Sequence, residues 1–278
     1  MTTIALFGAG GKIGTRIANA LRNDPAYHML YLEAGEAGLA RLRERGLEPA
    51  SREEAMREAD VVILATPVRT IVKILTEIGP LLSPGSLLTD MGSAKQEVVQ
   101  AMQALPSHVQ PIGGHPMCGK ETSGLSAADA SLYESATYVL TPLSRTSESA
   151  MRLAIELVRA VGAQPLLLDA SRHDTLVAAT SHLPYLLSVG LVGTVERLAD
   201  GAAWKVVAGG FRDTSRLAAS DETMMLDTLL ANRDMVLTAL AGFQDRLSAL
   251  AHLLETGNEA DLRCAMATAA QRRKGLFR

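Results

Sequence analysis

A chain of 278 residues, 47% of them hydrophobic, can bury one large core or two of ordinary size, and two domains are expected. A net charge of −3 offers no general electrostatic reason to bind nucleic acid or an acidic membrane surface, which leaves small-molecule chemistry. Two cysteines, Cys118 and Cys264, are too few for a disulfide framework or a structural zinc site, so a reducing compartment and no metal are expected.

The chain enters an apolar run at once, without a basic leader or a cleavage signal, and a cytoplasmic location is expected. Thr3 to Phe7 (TIALF) reads as a strand, and Lys12 to Arg22 carries Ile13, Ile17 and Leu21 at helical spacing. The turn between them, GAGGKIG, holds glycines at 8, 10, 11 and 14. The strict form G-x-G-x-x-G fails at Ile13, whereas G-x-x-G-x-x-G fits. Such glycines let backbone approach a pyrophosphate at a helix N-terminus, making Gly8, Gly10, Gly11, Lys12, Ile13 and Gly14 candidate cofactor contacts. A second apolar piece, Met29 to Leu32, ends in Glu33. A carboxylate there can accept the adenosine ribose hydroxyls and would repel a 2′-phosphate, which favours NAD and leaves NADP open.

Ser51 with Glu54 forms a capping box for a helix over Arg52 to Glu58, and the apolar run Val61 to Ala65 follows as a strand. Thr66 and Pro67 at its carboxyl end are further candidate cofactor contacts. A helix from Arg69 to about Leu82 leads to a strand over Ser86 to Thr89, which ends in DMGSAK and presents Ser93. A helix near Gln96 to Leu105 leads to the strand Val109 to Ile112. Gly113 and Gly114 should end that strand and release His115 into the loop GGHPMCGKETSG, where a histidine, a thiol, Lys120 and Glu121 crowd together. Strands at Tyr138 to Leu140 and Pro165 to Leu168, with a helix over Ser149 to Val161 between them, complete the alternation. Alternation of this kind predicts an α/β fold with a doubly wound, mainly parallel sheet. Ligands of such sheets bind at the carboxyl ends of the strands, where Gly8, Thr66, Ser93 and His115 converge.

After Asp169 the strand signals stop, which divides the chain into residues 1–169 and an all-helical unit over 170–278. Helices are expected over Ser171 to Leu198, kinked at Pro184, over Thr223 to about Leu254, and over Ala260 to Arg272. Thr175 to Val195 has no Asp, Glu, Lys or Arg and is long enough to span a bilayer, but Ser181, His182 and Pro184 interrupt it. Its stripe of Leu183, Leu186, Leu187, Leu191 and Val192 instead suits a bundle centre or the interface of a homodimer. His182, in SHLPY, reads either as a hydrogen-bonded core histidine or as a site residue. The segment AGGFRDTSRLAASDE holds Arg212, Asp213 and Arg216. An arginine here suits either a bidentate clamp on a carboxylate or an ion pair between domains or subunits.

DMGSAK, GGHPMCGKETSG, the pair His173–Asp174, SHLPY and GGFRDTSRLAASD follow one another in the order and spacing of the prephenate and arogenate dehydrogenases, which the chain resembles over nearly its whole length. The resemblance implies a Rossmann-type dinucleotide-binding domain, a helical dimerisation domain and an active site between them. It implies transfer of hydride from the ring carbinol carbon of prephenate to NAD, with loss of carbon dioxide giving 4-hydroxyphenylpyruvate in tyrosine biosynthesis. Arogenate, which would give tyrosine directly, is the alternative substrate.

Matched to the family's motifs, His115 would accept the hydroxyl proton and Ser93 would orient that imidazole and touch the hydroxyl or the nicotinamide. His182 would contact substrate, Arg216 would pair with a carboxylate, and Glu121 would stand near the pocket mouth. Cys118 stands where the family usually has alanine, and Glu222 and Met225 replace a proline and a tryptophan common there. A fused regulatory segment is not expected. A β-hydroxyacid dehydrogenase would need a lysine early in the helical half, yet none occurs between Asp169 and Trp204. A non-catalytic NAD(H) sensor is disfavoured by the joint presence of Ser93, His115 and Arg216.

Overall fold

The structure, a computed structural model, describes residues 1–118 and 133–276. Its first half alternates strand and helix. β1 (Thr2–Phe7), α1 (Lys12–Leu21), β2 (Tyr27–Leu32), α2 (Glu36–Glu44) and α3 (Arg52–Glu58) come first. β3 (Val61–Leu64), α4 (Val68–Ile78), β4 (Leu87–Asp90) and α5 (Gln96–Gln103) follow, then β5 (Gln110–Pro116), β6 (Thr137–Pro142), α6 (Glu148–Ala160) and β7 (Gln164–Leu167). The strands form one sheet in the order β2-β1-β3-β4-β5-β6-β7. The first five are parallel, β6 runs antiparallel to β5, and β7 is parallel to β6.

The apolar runs dictate this arrangement because side chains alternate across a strand and both faces are covered. Ile4, Leu6 and Ile63 pack on one face with Ile17 and Leu21 of α1. Ala5, Val62 and Leu64 pack on the other with Ile71, Leu75 and Val98. Ser51 caps α3 by accepting the Glu54 N–H at 3.1 Å, as the sequence pattern anticipates.

In the sheet half, two features depart from the sequence reading. The helix α2 was not anticipated, and β5 does not stop at Gly113. It continues through His115, with Gly113 opposite Thr141, Gly114 opposite Leu140 and His115 opposite Val139. The glycines serve close packing rather than loop freedom. A Cβ on Gly114 would overlap the carbonyl oxygen of Asp90 in β4, and the Gly114 N–H donates to Asp90 Oδ1 at 3.0 Å. His115 therefore stands on a paired strand, which holds it more rigidly than a loop would.

The helical half begins with α7 (Ala170–Val177), capped by Asp169, which accepts the Arg172 N–H at 2.9 Å. A π-helical segment, Ala178–His182, separates it from α8 (Leu183–Glu196). Pro184 has no N–H for the helical ladder, so the irregularity expected at the proline appears in the turn before it. The segment read as a connection between helices is itself helical: α9 (Gly209–Ser215) runs into a 3₁₀ turn, Arg216–Ala219. The long periodic run divides at Asn232 into α10 (Glu222–Ala231) and α11 (Arg233–Glu255), and α12 (Glu259–Leu276) closes the described chain.

The stretch Ala170–Glu196 is long and apolar enough to cross a membrane by length and composition. Large apolar side chains on α11 and α12 stand open in the single chain, Leu254 at 66% exposure and Met266 at 64%.

Gly114→Ala should destabilise the protein by about 1–3 kcal/mol through overpacking at the β4–β5 contact, measured by urea unfolding. An unchanged midpoint would show that the strand ends can part without cost.

Candidate active site

A cleft of about 610 Å³ opens at the carboxyl ends of the strands. Its sheet side includes Gly11, Lys12, Ile13, Thr66, Pro67, Ser93 and His115, and its helical side includes Ser181, His182, Met225 and Thr228. The volume suits a small organic ligand.

The glycine turn is shaped by close approach. Gly8 has φ +72°, and a Cβ there would press on the Ala65 carbonyl oxygen at 2.7 Å. A Cβ on Gly10 would overlap the Gly38 backbone, and one on Gly14 would overlap the Gly8 carbonyl. The positions with least room are therefore 8, 10 and 14, a G-x-G-x-x-x-G spacing rather than the G-x-x-G-x-x-G that the sequence suggests. Gly11 precedes α1 as its N-cap, so α1 aims its free N–H groups and positive dipole end at the cleft.

Glu33 lies at the end of β2 behind this turn, outside the described cleft lining. Its Oε2 accepts the Gly10 N–H at 3.0 Å, and its Oε1 accepts those of Ala34 at 3.0 Å and Gly35 at 3.2 Å. Arg41 Nε donates to the Gly10 carbonyl at 2.7 Å. Thr66 adds an independent sign of a ligand: it lines the cleft, yet its Oγ1 is buried without a hydrogen-bond partner. A backbone cradle without room for side chains, a helix N-terminus and an unused hydroxyl together fit a dinucleotide.

The run DMGSAK folds around a buried ion pair. Lys95, wholly buried, places Nζ against Asp90 Oδ2 and donates to the Gly114 carbonyl at 2.7 Å. Asp90 also accepts the N–H groups of Gly92, at 2.7 Å, and Gly114. Burial lowers the Lys95 pKa, and the adjacent Asp90 carboxylate opposes that shift. The pair fixes Ser93 and the strand end that carries His115.

His115 Nδ1 meets His173 Nε2 at 2.8 Å, and His173 Nδ1 meets Asp174 Oδ1 at 2.7 Å. Asp174 further accepts the N–H of Lys95 at 2.7 Å and of Gln96 at 2.8 Å. Burial alone would raise the Asp174 pKa, but the His173 hydrogen bond and the two backbone N–H groups hold it below the ordinary carboxylate value. A carboxylate only accepts, so His173 Nδ1 carries a proton. His115 Nδ1 and His173 Nε2 share one proton, and with it on His115 Nδ1, facing the lone pair of His173 Nε2, His115 Nε2 is left as the base. Burial, then the neighbouring His173, Lys95 and His182, push the His115 pKa well below that of a free histidine.

Ser93 does not reach that imidazole's Nδ1, which is taken by His173; its Oγ pairs with Thr228 Oγ1 of α10 at 2.7 Å. Arg216 stands exposed on the 3₁₀ turn after α9 and is not among the described cleft-lining residues. Arg212 pairs with its neighbour Asp213 at 3.3 Å on the surface. Glu121 and Lys120 lie outside the described residues. Cys118, half-buried, lines the cleft while packing against the core. Met225 is buried in the cleft wall, and Asp221 caps α10 by accepting the Met224 N–H at 2.9 Å. The sequence reading assigned no role to His173, Asp174, Lys95, Asp90, Thr228 or Asn232. The adjacent His–Asp pair and the charges inside DMGSAK were the available signals.

Residues 17–167 match the family description "Prephenate dehydrogenase, nucleotide-binding domain", and residues 169–268 match "Prephenate dehydrogenase, dimerization domain". A prephenate dehydrogenase of Lactococcus lactis is 35% identical over 90% of this chain and 71% of its own length. That of Bacillus subtilis is 35% identical over 84% of this chain, which spans 65% of the relative. The solved structure of prephenate dehydrogenase from Aquifex aeolicus, in complex with hydroxyphenyl propionate and NAD+, superposes with a TM-score of 0.90 at 27% identity, covering 99% of this chain and 98% of that one. With the cleft, the glycine turn and the histidine relay already in place, these matches show that the chain belongs to the prephenate dehydrogenase family.

Proposed function

We propose that this protein oxidatively decarboxylates prephenate to 4-hydroxyphenylpyruvate with NAD as hydride acceptor. The observation that carries the reading is the His115 imidazole, held in a cleft beside a dinucleotide cradle by a buried histidine–carboxylate relay. Gly8, Gly10, Gly11, Lys12, Ile13 and Gly14 would hold the pyrophosphate, Thr66 and Pro67 would line the nicotinamide side, and Glu33 would meet the ribose while bracing Gly10. Bound there, NAD supplies the electrophilic carbon that receives the hydride.

His115 Nε2 accepts the proton of the substrate's ring hydroxyl as hydride leaves the same carbon, which becomes a carbonyl. The bond to the ring carboxylate then breaks, its electron pair enters the ring, and carbon dioxide departs. The resulting phenolate recovers the proton from His115. His173 and Asp174 stabilise the transient imidazolium through Nδ1 and hold the base in the required tautomer, as in other His–carboxylate pairs. Ser93 contacts the hydroxyl or the nicotinamide, with Thr228 fixing its rotamer. His182 contacts substrate from the helical side, and Glu121 is assigned to substrate binding by the family motif alone. Arg216, on the strength of the family motif, pairs with a carboxylate. Residues 1–169 act as the dinucleotide domain and residues 170–278 as the substrate and dimerisation domain. The exposed apolar faces of α11 and α12 support a homodimer, and the setting is the cytoplasm. Arogenate shares the ring on which His115 acts and is the alternative substrate.

His115→Asn should lower kcat by about 10²–10⁴ with little change in NAD affinity, assayed in steady state with prephenate. Because the base works neutral and its pKa is depressed, kcat/KM should stay level as pH falls through 6.5 and decline only well below it. An unchanged kcat in the variant, or an acid limb at or above pH 6.5, would refute the assignment.

Glu33→Ser should narrow the preference for NAD over NADP, compared as kcat/KM for the two cofactors. A wild-type protein that already favours NADP would contradict the ribose assignment.

A further inference from the structure

Asn232 interrupts the apolar run between α10 and α11 and is 3% exposed. Its Nδ2 lies 2.8 Å from the Asp174 carbonyl oxygen. A carbonyl only accepts, so the nitrogen end of the amide must face it, and the orientation of the side chain is fixed. The same Nδ2 lies 3.2 Å from His182 Nδ1. An amide nitrogen only donates, so His182 Nδ1 must present its lone pair, and the ring proton sits on Nε2. His182 is 1% exposed yet lines the cleft at the end of the π-helical segment. Burial, reinforced by His173 and opposed by Asp174, brings its pKa down to about 4, so the ring is neutral near pH 7.

The cleft then holds two neutral imidazoles of opposite polarity. His115 offers an acceptor at Nε2, and His182 offers an N–H at the same ring atom. Both polarities trace to one residue, Asp174, the first through its carboxylate and the second through its main-chain carbonyl. We propose that Asn232 is a positioning residue that locks His182 as an Nε2–H donor to a carbonyl or carboxylate oxygen of the bound substrate. This deepens the reading of the site as one for prephenate, whose side chain carries such oxygens, and it rests on that reading only for the identity of the substrate. A donor locked in this way favours ligands with an acceptor on the helical side of the cleft and disfavours those that present an N–H or O–H there.

The tautomer can be read directly by ¹⁵N-edited NMR of histidine-labelled full-length protein without substrate, with His182→Gln assigning the resonances. His182 should carry its proton on Nε2 in the wild type. In Asn232→Asp, which keeps the shape but replaces the donor by an acceptor, the proton should move to Nδ1. The KM for prephenate should then rise about tenfold, the value of one lost hydrogen bond, with a smaller change in kcat and none in KM for NAD. The double variant Asn232→Asp/His182→Gln should recover much of that KM, because a glutamine amide supplies a donor regardless of its neighbour. A wild-type His182 protonated on Nδ1 overturns the proposal, even if the aspartate variant fails to fold. So does an inverted tautomer with unchanged KM. Failure of the wild type to oxidise prephenate would refute the substrate assignment, while the NMR result would still decide the role of Asn232.

Discussion

The carboxylate of Asp174 is the group on which the site depends. It belongs to the first helix of the helical half, yet it accepts the N–H groups of Lys95 and Gln96, which begin α5 in the sheet half. A helix N-terminus leaves such donors unsatisfied, and a negative charge there is favoured by the helix dipole. Asp174 thus caps a helix seventy-eight residues away in sequence and bolts the two halves together. Its Oδ2 takes the Gln96 N–H, while Oδ1 takes both the Lys95 N–H and the His173 proton. Placement of the cleft walls and the protonation pattern within them are therefore not independent properties.

Burial explains why neutral histidines suffice. Desolvation disfavours the charged form of His115 and His182, and neighbouring positive or potentially positive groups add to it at His115. A base that stays unprotonated near neutrality can take the hydroxyl proton without first losing one to solvent. The relay stabilises the imidazolium only while it exists, which is the differential stabilisation that catalysis requires. Lys95 contributes twice: its backbone N–H holds Asp174, and its ammonium, paired with Asp90, holds Gly114 beside His115.

The sheet was legible in the sequence because apolar runs of strand length bounded by turn residues have few alternatives, and all seven runs became strands, including β7, whose Leu166 and Leu167 stay exposed in the single chain. The glycine turn was legible as a turn, but which glycines lacked room depended on Gly38 and Ala65, residues no local pattern connects to it. His115 is legible, though it stands on a strand rather than a loop, because Gly113 and Gly114 look like punctuation locally but serve close packing, Gly114 against β4 and Gly113 against Thr141, Lys95 and Val99. The partners of His115 were harder. His173 lies fifty-eight residues on and Asp174 contacts Lys95 seventy-nine residues back, so only the assembled fold brings them together. Asn232 was hidden inside a run whose periodicity suggested an unbroken helix. Arg216, conspicuous by charge and motif, is exposed outside the described cleft lining.

Asp174→Asn tests the account most directly, through the kcat of prephenate oxidation and its pH profile. One carboxylate oxygen becomes a donor, so the residue can no longer accept from both backbone N–H groups and from His173. The account predicts a fall in kcat of about 10²–10⁴, as when the carboxylate behind a catalytic histidine is made an amide, in a protein that still unfolds cooperatively and binds NAD. A folded variant with wild-type kcat and an unaltered acid limb would contradict it.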